Sequence, residues 1–242
     1  MSKDHKAFSA LFGVKPSKIR ETCVITPFFS KSVLSGFDIK AFRKGLIYGV
    51  GDNGSFNLIT TGIGAPFVGD AVLYLEDTPC KNVVFFGSCG AVREKRHLKI
   101  GSLTAVKKVL SGDSFIDILL KRKPKGPFYP DKGLLGGFLS SGENSSIKEA
   151  VCLTVGSLKL EKEYVSSLKE GSIDVLDMET AAFYAAAKHI RKKAVAALYV
   201  SDILNRAPYY EIIRPKNKPF FRSITENASN AVCGIVKKTL AE

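Results

Sequence analysis

Two short acidic segments in the C-terminal third of the chain could do chemistry. The first is Asp177-Met178-Glu179, at the start of an Ala-rich helical pattern, and the second is Ser201-Asp202, directly after an apolar run. A carboxyl group just past an apolar strand lies where α/β proteins commonly bind ligands, and it can act as a general acid. Two structural alternatives stay open: Asp202 could cap a helix or turn, and Glu179 could be a favourable charge in a first helical turn.

A third segment, Gly87-Ser88-Cys89-Gly90, follows the apolar run NVVFF. Ser88 or Cys89 could act as a covalent nucleophile only with a partner base, and the sequence identifies none. The segment is similar to a nucleophile elbow, G-x-S-x-G, but Phe86 stands where that motif needs its first glycine. We therefore do not expect a nucleophile here.

A glycine pattern at Gly49–Gly54 matches G-x-G-x-x-G, the signature of dinucleotide binding. In a dinucleotide-binding fold these glycines lead from a strand into a helix. Here they are followed by SFNLITT, which is typical of a strand. The pattern therefore predicts a hairpin turn between two strands.

The elements that must position these residues alternate between strands and helices, and several strands are apolar throughout. This pattern predicts one α/β domain over residues 1–242, a three-layer α/β/α sandwich around a mostly buried mixed sheet. The predicted strands are Thr22–Thr26, Gly45–Val50, Ser55–Thr61, Asn82–Phe86, Ser102–Leu110, Ala150–Val155 and Ala194–Val200. Helices are predicted after Ala65-Pro66 and over Glu179–Lys192 and Phe220–Leu240, with a long surface loop at Lys121–Gly137 and irregular chain at Asn205–Pro219.

Composition excludes several classes of protein. Apolar residues make up 45% of the chain and charged residues 24%, which is globular composition, and no apolar run reaches the length of a membrane-spanning helix. The five cysteines form no CxxC pair and the three histidines are far apart, so neither a disulfide framework nor a metal site is expected. The polar N-terminus and free thiols favour a cytoplasmic location.

A net charge of +13 would suit a nucleic acid, an anionic lipid or an anionic substrate. The basic residues are dispersed, however, and no cluster alternates with aromatic residues as in a base-stacking platform. We expect a solvated basic surface, with no nucleic-acid or membrane partner.

Three segments together resemble the nucleoside phosphorylase and nucleosidase superfamily, which includes purine nucleoside phosphorylase, uridine phosphorylase and methylthioadenosine/S-adenosylhomocysteine nucleosidase. They are the TGIGAP sequence before a helix, the strand that runs into Gly87–Gly90, and the DMETAA segment followed about twenty residues later by VSD. Their order and spacing match the family from about residue 20 to the end. The resemblance implies the family's fold, a homo-oligomer and no cofactor other than inorganic phosphate as a co-substrate.

The resemblance also implies roles for individual residues. Asp202 matches the acid that acts at the leaving base, Glu179 matches the residue that binds the ribose, and Met178 matches the one that packs on the sugar, although Met178 could equally fill the core. Asp177 stands where many members have Glu and could simply cap the helix. Five further positions are implied to line the substrate site: Gly64, Gly87, Ser88, Cys89 and Ser201.

The chain departs from the family where a phosphorylase holds phosphate. The Gly-rich loop expected after the first strand reads TPFFS, and Phe85 replaces an anion-binding Arg. Arg43 lies where some members send an Arg into a neighbouring subunit's phosphate site, although it could be a surface charge. The nucleosidase branch uses a water-activating Glu after the first strand, and Glu21 lies before it.

Base recognition is not readable from the sequence either. The base-stacking Phe of the family would fall near Leu160, and a common Asp would fall near Leu158. The sequence therefore predicts an enzyme that cleaves the N-glycosidic bond of a nucleoside, with a purine as the favoured base and water favoured over phosphate as the acceptor. The alternatives are a phosphate-dependent phosphorylase with an atypical phosphate site and a non-catalytic nucleoside-binding protein.

Overall fold

The structure is a computed structural model that describes residues 3–95, 97–114, 117, 119–141, 147–167, 173–212 and 214–239. Its strands are β1 (Thr22–Thr26), β2 (Ala41–Lys44), β3 (Gly49–Asp52), β4 (Asn57–Thr60), β5 (Asn82–Ala91), β6 (Leu103–Gly112), β7 (Lys125–Phe128), β8 (Lys148–Val155), β9 (Val175–Asp177) and β10 (Lys193–Ile203). Its α-helices are α1 (Lys3–Phe12), α2 (Lys31–Gly36), α3 (Ala65–Leu73), α4 (Lys132–Ser140), α5 (Glu161–Ser167), α6 (Thr180–His189), α7 (Tyr209–Ile212) and α8 (Lys218–Thr239).

The strands form one mixed sheet in the order β10-β6-β8-β9-β5-β1-β4-β3-β2, with β7 paired to β6. Strand β10 also pairs in parallel with β5, so β5, β9, β8, β6 and β10 close into a ring. Strands β1 and β4 continue the parallel part of the sheet beyond β5. Because β1, β4, β5 and β10 are parallel, their carboxyl ends lie at one edge, where ligands of α/β sheets bind.

Helices cover both faces of this sheet. One apolar cluster joins the sheet to α1, α3 and α6, and a second joins its other face to α2, α4 and α8. All five residues of β1 are buried, and so is nearly all of β10, which explains why these strands lack the alternation of a half-exposed strand. The expected mixed α/β architecture with flanking helices is confirmed.

Most individual predictions match the structure. Strand β1 has the predicted bounds. The glycine pattern Gly49–Gly54 lies in the antiparallel hairpin of β3 and β4, but β3 begins four residues later than predicted and includes Gly51 and Asp52 of the predicted turn. Strands β5 and β10 run beyond their predicted ends, and α6 is shorter than predicted at both ends. Helix α8 confirms the closing amphipathic helix as far as Thr239; Leu240 lies outside the described residues.

The predicted long loop at Lys121–Gly137 is wrong. Four of its residues form β7, and its end forms the first part of α4. The Asp131 side chain caps α4 by accepting a hydrogen bond from the Leu134 N–H at 2.9 Å. Leu134 and Phe138 are buried in the apolar cluster that includes α8. Capping and burial together outweigh the low helix propensity of the glycines.

The segment Asn205–Pro219, predicted to be irregular, holds the one-turn helix α7 and a 3-10 turn at Pro215–Asn217. Neither element buries a residue, so neither carries the apolar periodicity from which it could be predicted. Within the described ranges, no helix is long and apolar enough to cross a membrane.

Candidate active site

A cavity opens at the carboxyl edge of the sheet and contains about 620 Å³ of space, its open mouth included. Three segments singled out from the sequence meet here. The cavity is lined by Ser88 and Cys89 of β5, Met178 and Glu179 before α6, and Ser201 and Asp202 of β10.

Asp202 is aimed into the cavity by a β-bulge. In the pairing of β10 with β5, Val200 lies opposite Cys89 and Asp202 lies opposite Gly90, so that Ser201 is the extra residue. The Ser201 hydroxyl donates to Asp202 Oδ1 at 2.6 Å. Burial raises the pKa of Asp202, and the Ser201 hydrogen bond partly offsets that rise. The result is a fixed carboxyl group that holds its proton to a higher pH than an exposed aspartate.

The absence of a side chain at Gly90 leaves space for the Asp202 carboxyl group. A Cβ atom at Gly90 would lie 3.1 Å from Asp202 Oδ2, closer than nearly all real Cβ contacts. Any side chain at this position would therefore displace the Asp202 carboxyl group or would itself have to shift.

Glu179 joins two distant parts of the chain. Its Oε1 accepts a hydrogen bond from the Gly64 N–H at 2.7 Å, and its Oε2 accepts from the Met178 N–H at 3.3 Å. The side chain is buried, and burial followed by the nearby charge of Asp177 raises the pKa of Glu179 to about 8. Glu179 is therefore largely neutral near neutral pH, and any ligand that donates hydrogen bonds to it will favour its ionised form.

Asp177 has a structural set of partners. Its Oδ2 accepts from the Thr180 N–H at 2.7 Å and from the Thr180 hydroxyl, and its Oδ1 accepts from the Thr154 hydroxyl at 2.6 Å. The Thr180 N–H belongs to the first turn of α6. Asp177 thus caps α6 and links it to β8. This is the structural role that the sequence left open for Asp177.

Gly87, Ser88 and Cys89 lie within β5, beyond the strand end predicted at Phe86. The Cys89 thiol is buried and donates to the Tyr199 carbonyl at 3.6 Å. Burial, and then the charges of Asp177 and Asp202, raise the pKa of Cys89 well above its usual value, so the thiol stays protonated and unreactive. Gly87 is buried beside the Phe85 ring, away from the cavity lining.

The sequence profile of the phosphorylase superfamily matches residues 26–241, which is most of the chain. The chain belongs to the phosphorylase superfamily. The comparison with curated protein sequences gives no match.

Solved structures share the fold of this superfamily member. A 5′-methylthioadenosine/S-adenosylhomocysteine nucleosidase from Colwellia psychrerythraea, in complex with adenine, is 16% identical with a TM-score of 0.69, over 91% of this chain and 95% of its own. The Campylobacter jejuni enzyme of the same name is 14% identical with a TM-score of 0.72, over 90% and 99%. A futalosine hydrolase mutant from Helicobacter pylori is 12% identical with a TM-score of 0.72, over 90% and 99%.

Three residues of this superfamily member that were considered for the acceptor side, Phe85, Glu21 and Arg43, lie outside the cavity lining. Phe85 is buried against Phe183 with ring centroids 5.4 Å apart, so it points into the core and not into the cavity. Glu21 accepts from Lys81 Nζ at 2.8 Å in an exposed ion pair. Arg43 is exposed on β2 at the sheet edge and does not line the cavity, so its part in an anion site stays a prediction.

Glu161 is a titratable residue of the cavity that the sequence did not reveal. It begins α5 and lines the cavity together with Asp202 and Leu158. Burial, followed by the charge of Asp202, raises the pKa of Glu161 to about 7. Its apolar surroundings come from parts of the chain that meet only in the fold, so the sequence around Glu161 indicates nothing more than a helix start.

The carboxyl groups of the described cavity lining have no basic partner among the lining residues. Four carboxyl groups line the cavity, from Glu161, Asp177, Glu179 and Asp202, and no described lining residue is Lys, Arg or His. Within the described ranges, no group of three or more His, Cys, Asp or Glu side chains could hold a metal ion. The site therefore favours a neutral or cationic ligand and opposes an anion such as phosphate.

Proposed function

We propose that this protein cleaves the N-glycosidic bond of a purine nucleoside and transfers the sugar to water. One observation carries the proposal: a raised-pKa acid, Asp202, and a buried carboxyl group, Glu179, face one cavity in which no described lining residue is a cation. The nucleosidases with similar structures are named for substrates that contain adenine, which supports the choice of a purine.

The leaving base needs a proton. When the bond between C1′ and the ring nitrogen breaks, both electrons stay on the base, and Asp202 donates a proton to a ring nitrogen. Water then bonds to C1′ and gives up one proton, which restores Asp202 through the solvent. Burial raises the pKa of Asp202, so the group is protonated over a wider pH range than an exposed aspartate.

The sugar carries the positive charge that develops during this cleavage. Glu179 accepts hydrogen bonds from the ribose hydroxyls, orients the ring and stabilises that charge, while Met178 packs against the sugar. Since Glu179 has a pKa of about 8 in the free protein, hydroxyl donors that favour its ionised form should cause it to release a proton near neutral pH.

The lining favours water over phosphate as the acceptor. On the acceptor side, Ser88 and the backbone of Cys89 and Gly90 offer only neutral groups, and Phe28 adds an apolar ring to the lining. A phosphate dianion would bind there without a counter-ion from the described lining, in a cavity whose ionisable lining groups include four carboxyl groups. The proposal treats residues 1–242 as one cytoplasmic catalytic domain that needs no cofactor and acts as a homo-oligomer.

Base release from a panel of nucleosides, with and without phosphate, tests the proposal. The panel holds adenosine, inosine, guanosine, uridine, methylthioadenosine and S-adenosylhomocysteine. We expect phosphate-independent release of a purine. Asp202→Asn should reduce kcat by about 10²–10⁴-fold and change the dissociation constant of a substrate little, because the amide keeps its shape but cannot donate the acidic proton.

Glu21→Gln is the matched control, since it removes an exposed carboxylate outside the cavity and should leave turnover unchanged. A strict requirement for phosphate would make the protein a phosphorylase, with Arg43 of a neighbouring subunit as the first residue to test. Binding of nucleosides without any base release would contradict the proposed activity and leave a nucleoside-binding protein.

A further inference from the structure

Glu161 is an acid of the active-site cavity to which the proposed reaction assigns no role. It lines the cavity together with Val155 and Leu158 from the same part of the chain. Within the described part of the chain, its carboxyl group accepts no hydrogen bond and forms no ion pair. A cap or a salt bridge therefore does not explain a carboxyl group at this place in the cavity.

The other three carboxyl groups of the described lining have hydrogen-bond donors. Asp177 accepts from two threonines, and Glu179 accepts from two backbone N–H groups. Asp202 accepts from the Ser201 hydroxyl at 2.6 Å. These donors fix the positions of three carboxyl groups, whereas the position of the Glu161 carboxyl group is set by the cavity wall alone.

The charge that acts on Glu161 is that of Asp202. Burial and then this charge raise the pKa of Glu161 to about 7. Asp202 is itself only 7% exposed, and burial raises its pKa as well. Two close carboxyl groups repel each other when both are ionised, so together they keep one proton to a higher pH than either group would alone. No cation of the described lining offsets that repulsion.

The remaining titratable groups that face this cavity do not replace Asp202 as the partner of Glu161. They are Cys89 of β5, Asp177 and Glu179 before α6, and Tyr209 of α7. Burial raises the pKa of both Cys89 and Tyr209, so these two groups stay neutral near pH 7. The charge of Asp177 acts on Glu179. The described lining thus contains two separate carboxyl pairs, Asp177 with Glu179 and Glu161 with Asp202.

We infer that Glu161 and Asp202 share one proton, and that Glu161 is a positioning residue whose negative charge keeps Asp202 in its acid form for the leaving base. The inference rests on the proposed function and concerns the same site. When the bond between C1′ and the ring nitrogen breaks, both electrons stay on the base and the pair gives its proton to the base. Both carboxyl groups are then ionised, and the proton released when water bonds to C1′ returns to the pair.

The pH profile of Glu161→Gln tests this inference, because the amide keeps the shape of the side chain and removes its charge. We expect the alkaline limb of the kcat/KM profile to move to lower pH by about one unit, the smallest coupling at which two groups titrate as a pair. The profiles should converge at acid pH, where Asp202 is protonated in both proteins. An unmoved limb, or an equal loss of kcat/KM at every pH, would overturn the inference.

Two further variants of α5 separate charge from structure. Glu161→Asp keeps the negative charge, so its alkaline limb should lie closer to that of the unaltered protein than the limb of Glu161→Gln does. Glu163→Gln is the matched control, since Glu163 forms an exposed ion pair with Lys121 at 2.6 Å on the same helix. This control should leave the pH profile unchanged.

Carbon-13 NMR of the glutamate side-chain carboxyl groups measures the coupling without any substrate. The Glu161 signal, identified by its loss in Glu161→Gln, should titrate with a pKa of about 7. Asp202→Asn removes the neighbouring charge and should lower this pKa. The same Glu161 pKa in both proteins would contradict the carboxyl pair, whether or not the variants at Glu161 fold.

The two measurements together separate this inference from the proposed function. A Glu161 pKa that falls in Asp202→Asn, in a protein that releases no base from any nucleoside of the panel, would support the carboxyl pair and contradict the proposed function alone. Base release that depends on Asp202, with the same alkaline limb in Glu161→Gln and in the unaltered protein, would contradict the carboxyl pair alone.

Discussion

The side chain of Glu179 accepts a hydrogen bond from the backbone N–H of Gly64 at 2.7 Å, although 115 positions separate the two residues in sequence. Gly64 has a φ of +116°, a conformation that residues other than glycine rarely adopt. The loop after β4 is thereby fixed to the start of α6, and its residue Ile63 lines the active-site cavity. This contact fixes the position of the Glu179 carboxyl group, which we propose binds the sugar.

Glu179→Gln should separate the charge of this residue from its structural contact. The amide oxygen can still accept from the Gly64 N–H, so the fold should persist, but the proposed ribose site loses its carboxylate. We expect kcat/KM to fall about 10²-fold, in the range seen when one stabilising group of a transition state is removed. Steady-state kinetics measure this loss, and unaltered near-ultraviolet circular dichroism would show that the fold is retained.

Gly64→Ala should lower both stability and activity. A Cβ at this position meets only Pro66 Cδ at 3.8 Å, so the cost comes from the backbone conformation and should be about 1–3 kcal/mol of unfolding free energy. Shifting the loop should also move the Gly64 N–H away from Glu179 and reduce kcat/KM about tenfold.

Gly54→Ala is the control for this variant. Gly54 has a φ of +96°, and a methyl group added there would meet no described atom within 4 Å, but this residue lies in the β3–β4 turn outside the cavity. The substitution should cost similar stability in chemical denaturation and leave kcat/KM unchanged. Equal activity losses in both variants would show that general destabilisation, and not the contact with Glu179, explains the effect.

Ser201→Ala should change how Asp202 titrates. The Ser201 hydroxyl lowers the pKa of Asp202 against the effect of burial, so its removal should raise that pKa further. In the proposed mechanism the protonated acid is the active form, so the alkaline limb of the kcat/KM profile should move to higher pH. We also expect kcat to fall about tenfold as the carboxyl group loses its orientation.

Ser223→Ala removes an exposed hydroxyl on α8 that donates to the Phe220 carbonyl and should leave the pH profile unchanged. A drop in kcat for Ser201→Ala without any shift of the alkaline limb would argue that a group other than Asp202 supplies the proton.

Local patterns were sufficient to predict the strands and helices that carry the site. Apolar runs defined β1, β5 and β10, and short motifs marked Glu179 and Asp202 beside them. The bulge at Ser201 could not be predicted, since it depends on how β10 pairs with β5. The ring of strands that the pairing of β10 with β5 closes could not be predicted for the same reason.

Elements without a strong apolar pattern were missed for a physical reason. Helix α4 contains three glycines and is held by the Asp131 cap and the burial of Phe138, which depends on α8 about 90 positions later. Glu161 was missed in the same way, because its raised pKa arises from burial beside Asp202 and not from its sequence neighbours.

The stability of the ligand-free protein should rise on acidification from pH 8 to pH 5. Burial and the charge of Asp177 raise the pKa of Glu179 from 4.5 to about 8, so the folded state binds a proton that the unfolded state has already lost. A carboxyl group with a raised pKa contributes its stability fully below its unfolded pKa, and that contribution is lost as the pH rises through about 8. One such group changes the unfolding free energy by up to about 1.4 kcal/mol per pH unit in this window.

Urea denaturation between pH 5 and pH 8 measures this dependence. Glu161, with a pKa of about 7, acts in the same direction, so Glu179→Gln should reduce the slope and the double variant with Glu161→Gln should reduce it further. Glu21→Gln, which alters an exposed carboxylate, should keep the slope of the unaltered protein. A slope that is the same in all four proteins would mean that neither buried carboxyl group holds its proton in the folded state.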